Sequence, residues 1–142
     1  MIAPTKQKGD LAEMKIAADL LRRGHRIAFP FGEDWDFDLV LYRESGFERV
    51  QVKHARSDGR VMRVPCYSRS LTSGKILRTK CYTAATIDWL AVYDATTDRC
   101  LHIPAEKLGE GRREMWLRIT PALNGQRAGI NDAADFTELP GK

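Results

Sequence analysis

Glu13, Asp38, Gln51 and Lys53 are the residues of this sequence whose types and spacing could do chemistry together. Two carboxylates and an amide oxygen are hard oxygen donors that suit Mg²⁺, which usually takes only one or two protein carboxylates. A lysine beside such an ion can orient or help deprotonate an attacking water, or neutralise charge that develops on a phosphate. The set therefore predicts metal-assisted hydrolysis of a phosphodiester.

Glu13 lies within a predicted helix over residues 8–23, which good helix formers fill and Gly24 closes. On a helical wheel Glu13 falls between Ala17 and Leu20, on the apolar side. A carboxylate that faces the core requires a cation, a metal or a hydrogen-bond network. The alternative is an edge glutamate that reaches past the core to solvent.

The other three residues lie on a predicted hairpin, whose strands cover 36–42 and 47–54. If Ser45-Gly46 forms the loop, Asp38 and Lys53 are direct cross-strand neighbours. Opposite charges at such positions attract each other. The alternative interpretation of this pair is an ordinary cross-strand ion pair.

Gln51 lies two residues before Lys53, so it shares that strand face and is the diagonal neighbour of Asp38. Asp36 also lies on the face of Asp38, and it is an alternative ligand in place of Asp38.

One basic segment dominates the net charge of +4. Between residues 54 and 80 the sequence has one acidic residue, Asp58, and seven basic ones: Arg56, Arg60, Arg63, Arg69, Lys75, Arg78 and Lys80. This pattern favours docking on nucleic-acid phosphates, and the alternative is a solvated charged face. We expect backbone contacts first and base contacts second, because most protein–DNA contacts go to phosphates.

Three motifs in this order resemble the PD-(D/E)XK nucleases: Lys8-Gly9-Asp10-Leu11-Ala12-Glu13, Phe37-Asp38-Leu39-Val40 and Gln51-Val52-Lys53. The closest likeness is to the branch that includes group I intron-encoded homing endonucleases. The resemblance extends through 87–93 and 124–126, and so covers most of the chain. It implies an αβββαβ core, hydrolysis of DNA with Mg²⁺ or its substitute Mn²⁺, and assembly into homodimers or homotetramers.

The resemblance also assigns roles by position. It makes Asp38 the principal metal ligand, Gln51 the occupant of the second acidic position, Lys53 the catalytic lysine and Glu13 the helix-borne acid. Gln51 departs from the usual Asp or Glu, although the closest branch shares it, and a neutral amide is expected to hold the metal more weakly. The proline of the family motif is also missing. Lys8 joins the basic segment as an expected DNA contact.

The expected architecture is a single α/β (α+β) domain over 1–142 with a restriction-endonuclease-like core and a mixed central sheet. Besides the elements above, strands are predicted over 25–30, 61–66, 89–94, 99–103 and 115–119. A basic loop covers 67–80, a short helix begins at Pro104, and a loosely structured tail follows from about 121.

Composition narrows the class of protein. No apolar stretch is long enough to span a membrane, and the N-terminus lacks the apolar run of a signal peptide, so we expect a soluble, cytoplasmic protein without a membrane partner. The three cysteines do not have the close-paired spacing of a zinc site.

The main functional hypothesis is a double-strand DNA endonuclease of the homing type. It would act as a homo-oligomer, because a 16.1 kDa subunit with one site cuts one strand per docking. The alternatives are a structure-selective nuclease, such as a Holliday junction resolvase, and a DNA-binding subunit without catalysis.

Overall fold

The computed structural model describes residues 4–72, 75–121 and 130–140, and over 70–72 and 75–78 the backbone alone. Helix α1 spans Pro4–Arg22, so it begins four residues before the predicted start. Proline suits a first helical turn because its φ is already helical and its missing N–H is not required there. No helix in the described ranges combines the length and the apolar character needed to cross a membrane.

Gly24 ends α1, as predicted. It adopts a φ of +86°, a left-handed conformation that favours glycine. The amide of Gly24 donates to the Leu21 carbonyl over 2.9 Å, and the amide of His25 donates to the Leu20 carbonyl over 3.1 Å. These two bonds form a Schellman motif, which satisfies the last carbonyls of the helix.

The described strands form two sheets and a separate hairpin. Their bounds are β1 Arg26–Ala28, β2 Leu39–Arg43, β3 Gly46–Ala55, β4 Val61–Pro65, β5 Tyr67–Thr72, β6 Lys75–Cys81, β7 Trp89–Asp94, β8 Arg99–Pro104, β9 Glu114–Arg118 and β10 Asn131–Asp132. The main sheet has the order β1-β2-β3-β7-β8, and a smaller sheet has the order β10-β9-β4. The main sheet is mixed, because β3 and β7 are parallel while its other pairs are antiparallel.

The main sheet is covered on both faces. On one face, a stripe of α1 that includes Ile16 and Leu20 packs on Leu39, Val50 and other apolar residues. On the other face, a second cluster joins the main sheet to β4, β9 and two short 3₁₀ helices at Ala105–Leu108 and Ala133–Phe136. The crossover from β3 to β7 consists, in the described residues, of β4, the β5–β6 hairpin and a turn near Thr83, where the αβββαβ core has a helix.

The register of the β2–β3 hairpin differs from the prediction. Arg43 pairs with Gly46 and Leu39 pairs with Val50, so the loop is Glu44–Ser45 rather than Ser45-Gly46. Gly46 is the first residue of β3 and adopts a φ of +118°, a conformation that favours glycine. The predicted direct pairing of Asp38 with Lys53 is therefore wrong by two residues.

A two-residue shift does not change which side chains share a face. One step beyond the last β2–β3 pair, Asp38 falls opposite Gln51, and Lys53 becomes its diagonal neighbour. The three residues therefore remain on one face, with Gln51 and Lys53 in exchanged positions.

The predicted basic loop over 67–80 is instead an antiparallel hairpin of β5 and β6, which we call the ribbon. Its described side chains at the base are polar or aromatic, including Tyr67, Ser68 and Arg69. The sequence of this segment has no regular hydrophobic alternation, which is why it did not indicate a strand pair.

The predicted loose tail is also corrected for residues 130–140. Ala133 and Phe136 are buried in the second core cluster. Arg23 donates to the Thr137 carbonyl, and Arg43 donates to the Pro140 carbonyl over 2.8 Å. The apolar residues of this segment are scattered among polar ones and follow no helical or strand period, so the sequence did not predict this anchoring. Residues 122–129 and 141–142 of the predicted tail lie outside the described residues.

Candidate active site

Asp38 lies directly before β2, at the point where the β2–β3 pairing stops. Its backbone amide donates to the Val50 carbonyl over 2.8 Å, and its carboxylate accepts the amide of Val52 over 2.8 Å. The Asp38 carboxylate thus accepts the Val52 amide hydrogen bond that a further residue of β2 would otherwise accept through its carbonyl. Burial raises the pKa of Asp38, although the bond from Val52 and the charge of Lys53 oppose that shift.

Lys53 is held beside Asp38 by groups outside the hairpin. Its Nζ donates to the Tyr67 carbonyl over 2.9 Å and lies 5.1 Å from the centre of the Tyr82 ring. Burial lowers the pKa of Lys53, against the opposing influence of the charge of Asp38. The lysine is therefore both oriented and partly desolvated.

Gln51 lies on the same face of β3, and its amide nitrogen donates to the Val52 carbonyl over 3.4 Å. Val50 and Val52 alternate with Gln51 and Lys53 and pack in the core on the α1 side. Gln51 and Lys53 consequently project from the face of the sheet opposite the helix.

Glu13 approaches this group from the helix side, at the start of β2. Glu13 and Asp38 line one surface cavity of about 270 Å³. Burial raises the pKa of Glu13, and the negative charges of Asp38 and Asp10 raise it further. The structure thus brings Glu13 to Asp38, and Asp38 to Gln51 and Lys53, with Asp38 as the shared member.

Asp36, the alternative ligand, has a different environment. Its carboxylate accepts a hydrogen bond from Nζ of Lys80 over 2.8 Å, and the side chain is exposed. Asp38, not Asp36, lines the cavity with Glu13.

The same cavity has an aromatic wall that the sequence gave no reason to expect. Phe29, Trp35 and Phe37 line it, and the rings of Trp35 and Phe37 are 5.5 Å apart. Tyr67 and Tyr82, which position Lys53, were also not predicted. All of these contacts depend on tertiary structure, and no local pattern marks them.

The residues predicted to bind DNA divide into three groups. Lys8, Arg56, Arg60 and Arg69 are exposed. Arg63 is paired with Glu114, and Lys80 is paired with Asp36. The side chains of Lys75 and Arg78 lie outside the described residues.

Lys8 and Arg56 lie near His54, the residue that follows Lys53. After burial, the charges of these two residues lower the pKa of His54. His54 packs against Tyr93 of the α1-side cluster, so this positive surface from α1 and the end of β3 lies on the α1 side of the sheet.

The donor set fits a single hard cation. In the described residues, no group of three or more His, Cys, Asp or Glu side chains is arranged to hold a metal ion. The candidate set has two carboxylates, Glu13 and Asp38, with the amide of Gln51. The pKa of both carboxyl groups is raised, so their ionised forms are penalised, and a cation between them would relieve that penalty.

A mixed sheet between a helix and a second layer, with an aspartate at the start of one strand and a lysine on the neighbouring strand, is the architecture of restriction-endonuclease-like nucleases. A family model described as PD-(D/E)XK endonuclease matches residues 3–139, and the chain belongs to this family. It is accordingly a DNA endonuclease by class. The predicted family and the predicted α+β fold class are both confirmed.

Among solved structures, the chain is similar to one described as a bacterial homing endonuclease, I-Ssp6803I. The TM-score is 0.73, the sequence identity is 20%, and the match covers 94% of this chain and 88% of that chain. At this identity the likeness concerns the fold. No curated protein matches the sequence.

Proposed function

We propose that this chain is a Mg²⁺-dependent endonuclease of the homing type, which cleaves both strands of a specific DNA sequence as a homo-oligomer. The fold that it shares with a bacterial homing endonuclease supports the type of enzyme. The proposed site consists of Glu13, Asp38, Gln51 and Lys53.

The observation that carries the proposal is the pair of desolvated, opposite charges on Asp38 and Lys53. Burial raises the pKa of the carboxyl group and lowers that of the amine. Backbone groups fix both side chains, through the Val52 amide and the Tyr67 carbonyl. Burying an ion pair adds little to stability, because desolvation offsets the attraction of the charges. Partly buried charges with shifted pKa values are instead typical of sites that act on charged reactants.

Each residue then has a defined task. Asp38, Glu13 and the amide oxygen of Gln51 would hold Mg²⁺, which supplies Lewis-acid activation of the phosphate and a more acidic water. Lys53 donates hydrogen bonds to the attacking water or to a phosphate oxygen, and its lowered pKa eases proton transfer. The aromatic wall of Phe29, Trp35 and Phe37 limits the access of bulk water from one side of the cavity.

The oligomer follows from the number of sites. A subunit with one proposed site cuts one strand in one docked position, and the second strand runs in the opposite direction. A twofold pair of subunits presents two such sites with matching polarity. Sedimentation of the free protein tests this part of the proposal, and a monomer with and without DNA would contradict it.

The test of the site compares Asp38→Ala and Lys53→Ala with wild-type protein on a long linear duplex containing the cleavage site. Each variant is expected to lose Mg²⁺-dependent cleavage by at least about 100-fold, the scale of a lost acid–base group, and to retain the DNA in a gel shift. Glu106→Ala, an exposed carboxylate on a 3₁₀ helix, is the matched control and is expected to cleave normally.

One further variant and one further substrate separate the alternatives. If Asp36→Ala abolishes cleavage and Asp38→Ala does not, Asp36 is the ligand and the proposed site is wrong. Preference for a four-way junction over the duplex would replace the homing function with junction resolution. Wild-type protein that binds duplex but cuts neither substrate, with Mg²⁺ or with Mn²⁺, would identify a DNA-binding subunit.

A further inference from the structure

The ribbon stands apart from both sheets. Strands β5 and β6 pair with each other and with no other strand in the described residues. Among the described residues, neither strand packs extensively against a helix or another strand outside this pairing. An isolated two-stranded hairpin is at best marginally stable in water, so a ribbon of this length is expected to be stabilised by a bound partner.

The chemistry of the ribbon identifies the partner as a polyanion. From Tyr67 to Cys81 the sequence contains four basic residues and no acidic one. The segment also has five Ser and Thr residues, whose hydroxyls both donate and accept hydrogen bonds. A two-stranded β-ribbon of this kind fits the DNA major groove, which is about 12 Å wide.

Arg69 is the described side chain on the ribbon that is already arranged for recognition. It is exposed, its Nη2 donates to the Tyr67 hydroxyl over 3.2 Å, and its guanidinium lies 5.0 Å from the centre of that ring. In the described part of the chain, no carboxylate lies within ion-pair distance of Arg69. Stacking on Tyr67 restricts the side chain, which stays exposed.

The base of the ribbon is tied to the proposed site. Tyr67 accepts the hydrogen bond from Lys53, and Lys80 binds Asp36. Arg69 follows Tyr67 by two residues, or about 7 Å of strand. Adding the length of an arginine side chain, the guanidinium reaches base pairs within about five steps of a phosphate held at Lys53, at about 3.4 Å per step.

We propose that the ribbon reads DNA sequence in the major groove, with Arg69 bound through its two-pronged guanidinium to a guanine within about five base pairs of the cleaved phosphate. The inference rests on the proposed function and assigns its sequence recognition to one element. It reverses, for Arg69, the order expected from the sequence, in which backbone contacts came first.

The test is a selection of bound sequences from a randomised duplex pool, performed in EDTA so that no strand is cut. Wild-type protein is compared with Arg69→Lys, Arg69→Ala and two controls. Arg69→Lys keeps the charge but loses the planar fork, so it separates base reading from phosphate docking. Arg56→Ala removes an exposed charge near His54, and Arg99→Ala removes an exposed charge on β8, the edge strand of the main sheet.

Wild-type protein is expected to select one guanine that both Arg69 variants no longer prefer, a loss of about 5- to 150-fold in discrimination at that position. Arg69→Lys keeps the wild-type salt dependence. Arg56→Ala weakens binding to all sequences and lowers the salt slope by about one. Arg99→Ala matches wild type in both measurements.

Three results overturn the inference. The first is that wild-type protein selects no sequence, and the second is that both Arg69 variants select the same motif as wild type. The third is that the guanine no longer selected by the Arg69 variants lies more than about five base pairs from the cut, beyond the reach calculated from the strand rise. The cut position comes from cleavage of the selected DNA after Mg²⁺ is added. If the protein selects the motif through Arg69 but never cuts DNA, the proposed nuclease function is wrong and the proposed role of the ribbon in sequence recognition is retained.

Discussion

Glu48 provides a direct test of what fixes the hairpin that carries Asp38 and Gln51. It is a buried carboxylate on β3, and it accepts hydrogen bonds from Nε1 of Trp89 over 2.6 Å, from the Ser45 hydroxyl over 2.8 Å and from Nε of Arg43 over 3.3 Å. Two of these donors belong to the end of β2 and to the loop. Glu48 therefore links the hairpin loop to the central strand β7.

The cost of Glu48→Ala follows from these partners. The substitution leaves the buried Trp89 N–H without this acceptor, which costs about 1–3 kcal/mol. It also removes the carboxylate that Arg43 faces, and breaking such a buried pair costs about 3–5 kcal/mol. Arg43 keeps the carbonyls of Leu139 and Pro140, so the lower end of both ranges applies, and we expect a total loss of about 4 kcal/mol.

Thermal unfolding measures this loss. For a chain of this size, about 4 kcal/mol corresponds to a fall in melting temperature of roughly 15 °C. Glu48→Gln keeps an oxygen acceptor and loses only the charge, so about 1 kcal/mol is expected. Glu44→Ala removes an exposed carboxylate from the same loop and should change stability by less than about 0.5 kcal/mol. If Glu48→Ala melts within about 3 °C of wild type, or no lower than Glu48→Gln, this account of the hairpin is wrong.

Three other predictions concern charge. Asp38→Asn should raise the melting temperature of the metal-free protein at neutral pH. Because the pKa of the Asp38 carboxyl group is raised in the folded state, its ionisation opposes folding at neutral pH, and the gain should vanish as pH falls below the unfolded pKa. An equal gain at acid pH would contradict this. Gln51→Glu should lower the Mg²⁺ concentration for half-maximal cleavage by at least about fivefold, because a charge about 4 Å from a cation contributes about 1 kcal/mol even in water. If the Mg²⁺ dependence of cleavage is unchanged, Gln51 is not part of the metal site. Asp94 is fully buried, and hydrogen bonds from Ser57 and Thr97 outweigh the burial that alone would raise its pKa, so the pKa is lowered. The stability that Asp94 contributes is present above the unfolded pKa and lost as pH falls through the folded pKa. The free energy of unfolding in urea should therefore fall less steeply with acidification in Asp94→Asn than in wild type. An unchanged pH dependence would contradict this.

Much of the fold could be predicted because its elements have strong local signals. The four-residue spacing of Ile16 and Leu20 defines α1, and Gly24 marks its end. Strand β7, Trp89–Asp94, is an apolar run that is buried along its whole length, and its predicted bounds match the structure. These patterns reflect burial, which the order of residue types records directly.

The candidate site was predictable in part for the same reason. Alternation along a strand assigns Gln51 and Lys53 to one face whatever the pairing, so an error of two residues in register left the group together. The register itself depended on which residues form the turn. A glycine at position 46 is compatible with a place inside the turn or just after it, and the sequence does not distinguish these.

The remaining features have no local signal. The ribbon sequence has no regular apolar alternation, and the segment at 130–140 is fixed by Ala133 and Phe136 through contacts with distant residues. The carbonyl of Tyr67 and the ring of Tyr82 reach Lys53 only because β3, the ribbon and the turn before β7 meet at one place. Such positions depend on the folded chain as a whole.

The Glu44–Ser45 loop has a consequence for how the length of this chain can vary over evolution. Adding or deleting one residue there would turn Gln51 and Lys53 towards α1 and bring Val50 and Val52 to the opposite face. A change of two residues would leave both sets where they are. Related sequences that keep the activity should therefore differ in this loop by even numbers of residues, and odd differences should be found only where a bulge in β2 or β3 restores the alternation.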